Sequence, residues 1–202
     1  MKTKIDNFAH KSKSWDMSSR RVKNAQSISD AIIKDIKLTK DMKIMDFGAG
    51  TGLLSYFLSP FVDTVVALDN SPSMLKEFKN KSSEFQSKTR VIEADLTSQN
   101  IDEKFDGIVS SMTIHHIEDT KALFEKFYNM LEDNGFIAIA DLEIEDGSFH
   151  SDNIGVYHYG FDVEDIKSIA KEVGFKNIKI EIVSVIKKPH ANFNIFLISA
   201  LK

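Results

Sequence analysis

The sequence predicts an α/β protein built on one mostly parallel sheet with helices on both faces, and three observations carry that prediction. Short apolar or β-branched runs alternate with amphipathic stretches of helical period from Lys43 to Asp141, the pattern of successive strand–helix–strand units. The first run, Lys43–Phe47, leads straight into glycines at 48, 50 and 52 and then into an apolar helical pattern. A strand, a turn without side-chain bulk and a helix start place a binding site at the carboxyl edge of a parallel sheet. The last two β-rich stretches, Asn177–Ile186 and Phe193–Ala200, are separated only by a short turn containing Pro189, so they must pair antiparallel.

Taken in order, residues 1–17 are polar with isolated aromatics, Phe8 and Trp15. From Ser18 a helix is expected, because Val22, Ala25, Ile28, Ile32, Ile33 and Ile36 fall on one stripe. The strand Lys43–Phe47 and a helix over Thr51–Leu58 follow, with Pro60 as its stop. Thr64–Asp69 is a second strand ending in an acid. Ser71-Pro72 opens a helix, serine as N-cap and proline at the first position, with Met74, Leu75 and Phe78 as its apolar face. Thr89–Ala94 and Phe105–Ser110 are the third and fourth strands. Thr120–Leu131 is a helix ended by Asn134-Gly135 as a left-handed cap, and Phe136–Asp141 is the fifth strand. Residues 142–161 break the rhythm as an acidic and aromatic loop or insertion. Asp162 caps a helix that runs to Val173 before Gly174, and the terminal hairpin completes seven strands.

Composition narrows the function. At 202 residues the expectation is one domain with one sizeable core. The chain has no cysteine, which excludes disulfides, thiolate metal sites and a cysteine nucleophile. A net charge of -4 argues against a nucleic-acid partner, and the lysines before Lys43 read as the solvated face of a helix. No apolar run approaches a membrane span, and Met1–Lys13 lacks the apolar core of a secretory signal. A cytoplasmic protein, monomer or homodimer, is expected.

Asp46-Phe-Gly-Ala-Gly-Thr-Gly52 departs from the dinucleotide fingerprint, which would place a glycine where Leu53 stands, and no phosphate-binding lysine follows. Asp69 ends the second strand and is followed by Asn70, Ser71 and Met74. Asp95 ends the third in Glu-Ala-Asp-Leu, and the fourth runs on through Ser110 and Ser111 to Thr-Ile-His-His-Ile. With these motifs the chain resembles the class I S-adenosylmethionine-dependent methyltransferases of the small-molecule type, over nearly its whole length from about Phe8. The resemblance implies a Rossmann-like seven-stranded sheet and S-adenosylmethionine as cofactor. It implies a cofactor site of Asp46, Gly48, Ala49, Gly50, Gly52, Asp69 on the ribose, Asn70, Met74, Asp95 and Leu96 on the adenine, and Ser110 and Ser111 beside the methyl group. Phe8, Ser12, Trp15 and Asp16 resemble the family's N-terminal opening, with residues 1–40 as a helical lid and Trp15 over the cofactor. Ser110 and Ser111 stand where enzymes acting on nucleobase amines carry Asn/Asp-Pro-Pro-Tyr, which argues against that substrate.

The predicted function is methyl transfer to a small molecule, with residues 142–161 lining the acceptor side. A base is needed only where the acceptor is protonated at neutral pH. His115, His150 and His158 are the candidates, since histidine titrates there. His116 reads as structural, Asp141, Glu143 and Glu145 as mostly a solvated edge, and a metal site is not expected because adjacent histidines on a loop are poor chelators. The competing readings are a nicotinamide-binding protein, a non-catalytic S-adenosylmethionine-binding domain, and a methyltransferase acting on protein or RNA.

Overall fold

A computed structural model describes Asp6 and residues 8–202. The opening of the basic N-terminal stretch, residues 1–5 and 7, lies outside the described residues. The chain order is α1 (Ser19–Asp35), β1 (Lys43–Phe47), α2 (Leu53–Leu58), β2 (Thr64–Asp69), α3 (Pro72–Lys81), β3 (Lys88–Glu93), β4 (Phe105–Ser111), α4 (Thr120–Met130), β5 (Leu131–Leu142), α5 (Val163–Val173), β6 (Lys176–Lys187) and β7 (Asn192–Leu201). The seven strands form one sheet in the order β3-β2-β1-β4-β5-β7-β6. The pairs among β1 to β5 are all parallel, whereas β7 runs antiparallel to both β5 and β6. β7, last in sequence, is an interior strand and β6 is the edge.

Strand periodicity sorts side chains to two faces. On one face Ile44, Val65, Val109, Ala138 and Leu197 pack with Ile28 and Ile32 of α1 and Leu54 and Leu58 of α2. On the other, Met45, Phe47, Ile108, Ile137, Ile139 and Phe196 pack with Leu123, Phe124 and Phe127 of α4 and Ile166 and Ala170 of α5. Phe124 and Phe127 are fully buried, and each such side chain contributes roughly 1.5–3 kcal/mol by leaving water. A smaller group, Ala49, Ala67, Leu75, Phe78 and Phe85, seats α3 beside the glycine turn.

The helix starts are capped as the sequence predicts. Ser71 Oγ accepts from the Met74 N–H at 3.2 Å, and Asp162 Oδ1 from the Glu164 N–H at 2.8 Å. Gly174 ends α5 with φ 114°. Two expectations are corrected. α4 stops at Met130, and Leu131 already pairs with Phe105 at the start of β5. Asn134, at φ 64°, is therefore not a helix cap; it lies in an irregularity of β5 before pairing resumes at Gly107↔Phe136. Pro60 also does not end helical structure abruptly, because a single tight turn, Ser59–Phe61, continues α2.

Residues 142–161 form the predicted loop. It leaves and rejoins the sheet edge through a bridge between Glu143 and Phe161, and the N–H groups of Tyr157 and His158 donate to the His115 carbonyl at 3.0 and 3.2 Å. The loop is thereby laid over the turn that follows β4.

Candidate active site

Because β1 to β5 are parallel, their carboxyl ends share one edge, and Gly48–Gly52, Asp69, Asp95, His115 and Asp141 all follow or close strands there. The three glycines do different jobs. All have positive φ, 68°, 55° and 88°, which glycine adopts without a side-chain penalty. A β-carbon on Gly48 would collide with the Thr113 side chain, and one on Gly52 would lie 2.5 Å from the Phe78 ring. Only at Gly50 is there nothing within 4 Å. The bare positions at 48 and 52 serve close packing of the protein itself, and the open position faces space at 50.

Asp69 ties this turn to α3. One carboxylate oxygen accepts from the Gly50 N–H at 2.7 Å and the other from the Ser71 N–H at 2.8 Å. Burial pushes its pKa up, against the pull of these donors, and the charge of Asp6 adds to the rise. Each oxygen keeps a free lone pair for a further donor. Gly48 and Ala49 donate to the Leu68 carbonyl at 2.8 and 3.1 Å, fixing the turn against β2.

Beyond Asp69 lies a cavity of about 540 Å³ whose wall includes Asn70, Asp95, Leu96, Phe8, His116 and Tyr157, a volume in the range of small-molecule sites. The glycine turn and Asp69 stand outside that wall. Asp95 is half-buried and folds its own turn, accepting from Thr97 N–H and Oγ at 3.0 and 2.6 Å. The Leu96 side chain is buried, and its carbonyl accepts from Lys126 Nζ.

Several predicted site residues are placed elsewhere. Asp46 points inward: its carboxylate is 1% exposed and accepts from Ser55 Oγ of α2 at 2.6 Å. Burial, with the charge of Asp69 adding, raises its pKa to about 7 although the Ser55 hydroxyl pulls it down. Ser110 is fully buried and donates to the Phe47 carbonyl at 2.7 Å, so it binds β4 to β1. Ser111 is half-buried, and its carbonyl accepts from Thr113 Oγ at 3.1 Å. Met74 is 3% exposed and belongs to the core under α3. Trp15 does not line the cavity. It packs on Phe8 at 6.0 Å between ring centres, under the Arg21 guanidinium at 3.8 Å, and it is Phe8 that reaches the cavity wall.

The N-terminal segment is docked by polar contacts that the sequence reading missed. Asp16 accepts from Thr51 Oγ at 2.5 Å and pairs with Lys81. Asp6 accepts from Ser71 Oγ at 2.7 Å and the Ser73 N–H at 3.1 Å, at the start of α3. The signal available was the resemblance itself, which marked Asp16 but not its partner.

The histidines divide by partner. His158 Nε2 lies 2.9 Å from the Ile117 carbonyl, so this ring pins the 114–119 turn. His116 Nδ1 lies 2.7 Å from the Gly155 carbonyl. His115 is 1% exposed, with Nδ1 2.6 Å from Asp141 Oδ1. Asp141, read from sequence as part of a solvated edge, is fully buried. The apolar run Ile137–Ala140 before it was the available sign of that. Its face of β5 is the one carrying Ile137 and Ile139. No cluster of three or more His, Asp or Glu suited to a metal ion occurs among the described residues, and none of their helices is long and apolar enough to cross a membrane.

Comparison with known proteins agrees with this edge. Residues 45–139 match the family described as "Methyltransferase domain". An uncharacterized methyltransferase of Schizosaccharomyces pombe is 34% identical over 75% of this chain and 57% of its own. Phosphoethanolamine N-methyltransferase 3 of Arabidopsis thaliana is 28% identical over 72% of this chain and 31% of its own. The chain therefore spans from under a third to just over half the length of these relatives. Among solved structures, the Haemonchus contortus phosphoethanolamine N-methyltransferase 2 in complex with S-adenosyl-L-methionine superposes with a TM-score of 0.70 at 18% identity, over 100% of this chain and 61% of that one. Residues 45–139 thus match a methyltransferase domain, and the chain takes a fold shared with solved S-adenosylmethionine-dependent methyltransferases.

Proposed function

We propose that this protein transfers a methyl group from S-adenosylmethionine to a small-molecule acceptor. One observation carries the reading: Asp69, a half-buried strand-end carboxylate, accepts from the N–H of Gly50, the glycine of the turn with open space at its β-carbon position, beside a cavity bounded by Asn70, Asp95 and Leu96. That arrangement suits a ligand with a diol and a flat base. Asp69 would take the two hydroxyls, Asp95 and the main chain at Leu96 the adenine edge, and the space at Gly50 the amino acid end.

When bound, the cofactor supplies a methyl group on an already activated sulfonium. The chain's own contribution is then alignment and exclusion of water, and alignment alone contributes up to roughly 7–11 kcal/mol in ideal cases. Phe8, carried by a segment anchored through Asp6 to α3 and through Asp16 to Thr51, closes the cavity at one side. Ile154, Gly155 and Tyr157 of the 142–161 loop close it at another. The net charge of -4 favours a small-molecule acceptor over RNA.

Isothermal titration with S-adenosylmethionine tests the reading. Wild type should bind, and Asp69→Ala should weaken binding about 10–100-fold through two lost charge-assisted hydrogen bonds. Equal affinity of the two proteins removes Asp69 from the site; no binding by wild type ends the proposal. Binding without methylated product across a broad acceptor screen would leave the non-catalytic domain as the better description.

A further inference from the structure

Helix α1 and the edge strand β6 lie side by side, and their two ends are held differently. At one end Lys179 of β6 pairs with Asp35 of α1 at 2.6 Å and with Glu181 at 3.1 Å. At the other, the first turns of α1 and the end of β6 part around a groove of about 560 Å³, whose cations are Arg20, Lys23 and Lys187. Residues 19–27 and 182–188 contain no Asp or Glu. None of the three cations forms an ion pair among the described residues. Like charges gathered at one gap, in a chain of net charge -4, cost Coulomb energy that a bound anion relieves.

The helix phase builds this face. Arg20, Lys23, Asn24 and Ser27 are spaced i, i+3, i+4 and i+7, so they line one side of α1. Lys187 and the Ser184 hydroxyl face them from β6. α1 has 17 residues, and its first N–H groups, Ser19 among them, bring the positive end of the helix dipole to the groove. Lys188 registers the same crowding: burial first, then the Arg20 charge, lowers its pKa, against the pull of Glu145.

Asn24 supplies an observation independent of charge. It is 7% exposed, lies in the groove wall, and its Oδ1 has no hydrogen-bond partner. Buried polar groups are almost always paired, so this amide is completed by a group from outside the chain. The carbonyl and NH2 ends of an amide have nearly the same shape and exchange by a half-turn. The group therefore meets an anion through NH2 and a hydroxyl through its carbonyl. Cations on both walls, with amide and hydroxyl donors between them, suit a tetrahedral phosphate better than a planar carboxylate, which a single guanidinium satisfies. The volume leaves room for more than the anion itself.

We propose that this groove is a second binding site, for a small phosphomonoester, whose phosphate is held by Arg20, Lys23 and Lys187 and oriented by Asn24. It shares no lining residue with the cavity beyond Asp69, so it stands whether or not the methyl-transfer reading does. β6 runs parallel to β5, since both are antiparallel to β7. Lys187 therefore emerges at the same sheet edge as Asp141, and the phosphomonoester binds on the edge that carries the glycine turn without entering the cofactor cavity.

The test follows amide proton–nitrogen NMR spectra of the full chain while inorganic phosphate, and then glycerol 3-phosphate, replaces chloride at constant ionic strength. The expected result is saturable shifts at the Asn24 side-chain NH2 and at the backbone amides of residues 19–24 and 184–187. Glycerol 3-phosphate should bind at least as tightly as phosphate. Lys23→Gln and Lys187→Gln should each weaken binding roughly three- to fivefold, and the double variant about tenfold or more, whereas Lys23→Arg should retain it. Both side chains are exposed, so the variants fold, and their S-adenosylmethionine affinity should match wild type. Shifts that track ionic strength alone, or that saturate equally in the double variant, overturn the proposal. So do shifts centred on Asn70 and Asp95, which place the anion in the other cavity. A short single-stranded RNA that binds far more tightly than glycerol 3-phosphate, and loses that binding in the double variant, replaces the small phosphomonoester with a nucleic-acid backbone and overturns it as well.

Discussion

Asp46→Asn isolates the cost of keeping an acid inside the sheet. In the native state the carboxyl lies 1% exposed against Ser55 Oγ at 2.6 Å, and burial raises its pKa to about 7. In the unfolded chain it titrates near 3.8. Between those values the folded protein holds a proton that the unfolded protein has lost. The stabilisation is complete below the unfolded pKa and disappears as pH rises through the folded one. At about 1.4 kcal/mol per pH unit, the whole window is worth about 4 kcal/mol, of which roughly 2–3 kcal/mol falls between about pH 5 and pH 8. Urea unfolding at those two pH values, for wild type and Asp46→Asn, reads the difference. Asparagine keeps an acceptor for Ser55 and cannot ionise, so its stability should change less over the window by about that amount. The absolute level of the variant is not the readout, because the amide adds a buried donor; the slope is. Parallel pH dependences in the two proteins would refute the argument.

Gly52→Ala should lose roughly 2–4 kcal/mol in denaturant unfolding, from a left-handed backbone and overpacking against Phe78. Gly50→Ala should lose only about 1–2 kcal/mol, yet weaken S-adenosylmethionine binding by titration, because its methyl group enters open space. Phe124→Ala should cost about 3–5 kcal/mol, since the ring is fully buried between α4 and the sheet; a Tm shift near zero would contradict that placement. Asp16→Ala removes the contacts to Thr51 and Lys81. Limited proteolysis before Ser18 should then speed several-fold while the unfolding midpoint moves little.

The fold was legible because each strand carries a local signal. Val65, Val66, Ala67 and Leu68 are all buried, and a continuous apolar run says as much in the sequence. What stayed hidden is which face a strand residue takes and what it meets across the sheet. Asp46 and Asp69 look equivalent as strand acids, but one residue of phase turns Asp46 toward α2, whereas Asp69 sits at the strand's end, where the N–H groups of Gly50 and Ser71 reach it. The His115–Asp141 pair joins residues from two neighbouring strand ends, a contact that no local pattern encodes. His158 was chosen for its titration range, but its position over the Ile117 carbonyl depends on how the 142–161 loop folds back. β5 was read too short because Leu131 pairs with Phe105 before an irregular stretch, and helical spacing alone assigned it to α4.

The placement of β7 between β5 and β6 has a consequence for biosynthesis. On the ribosome the first five strands emerge in an order that lets each dock on one already present, but the flank of β5 must wait for residues made later than β6. Until then a nascent chain exposes the hydrogen-bonding edge of an apolar strand, the kind of surface that pairs promiscuously with other chains. Chaperone demand during synthesis should therefore concentrate in the interval before residues 192–201 leave the exit tunnel.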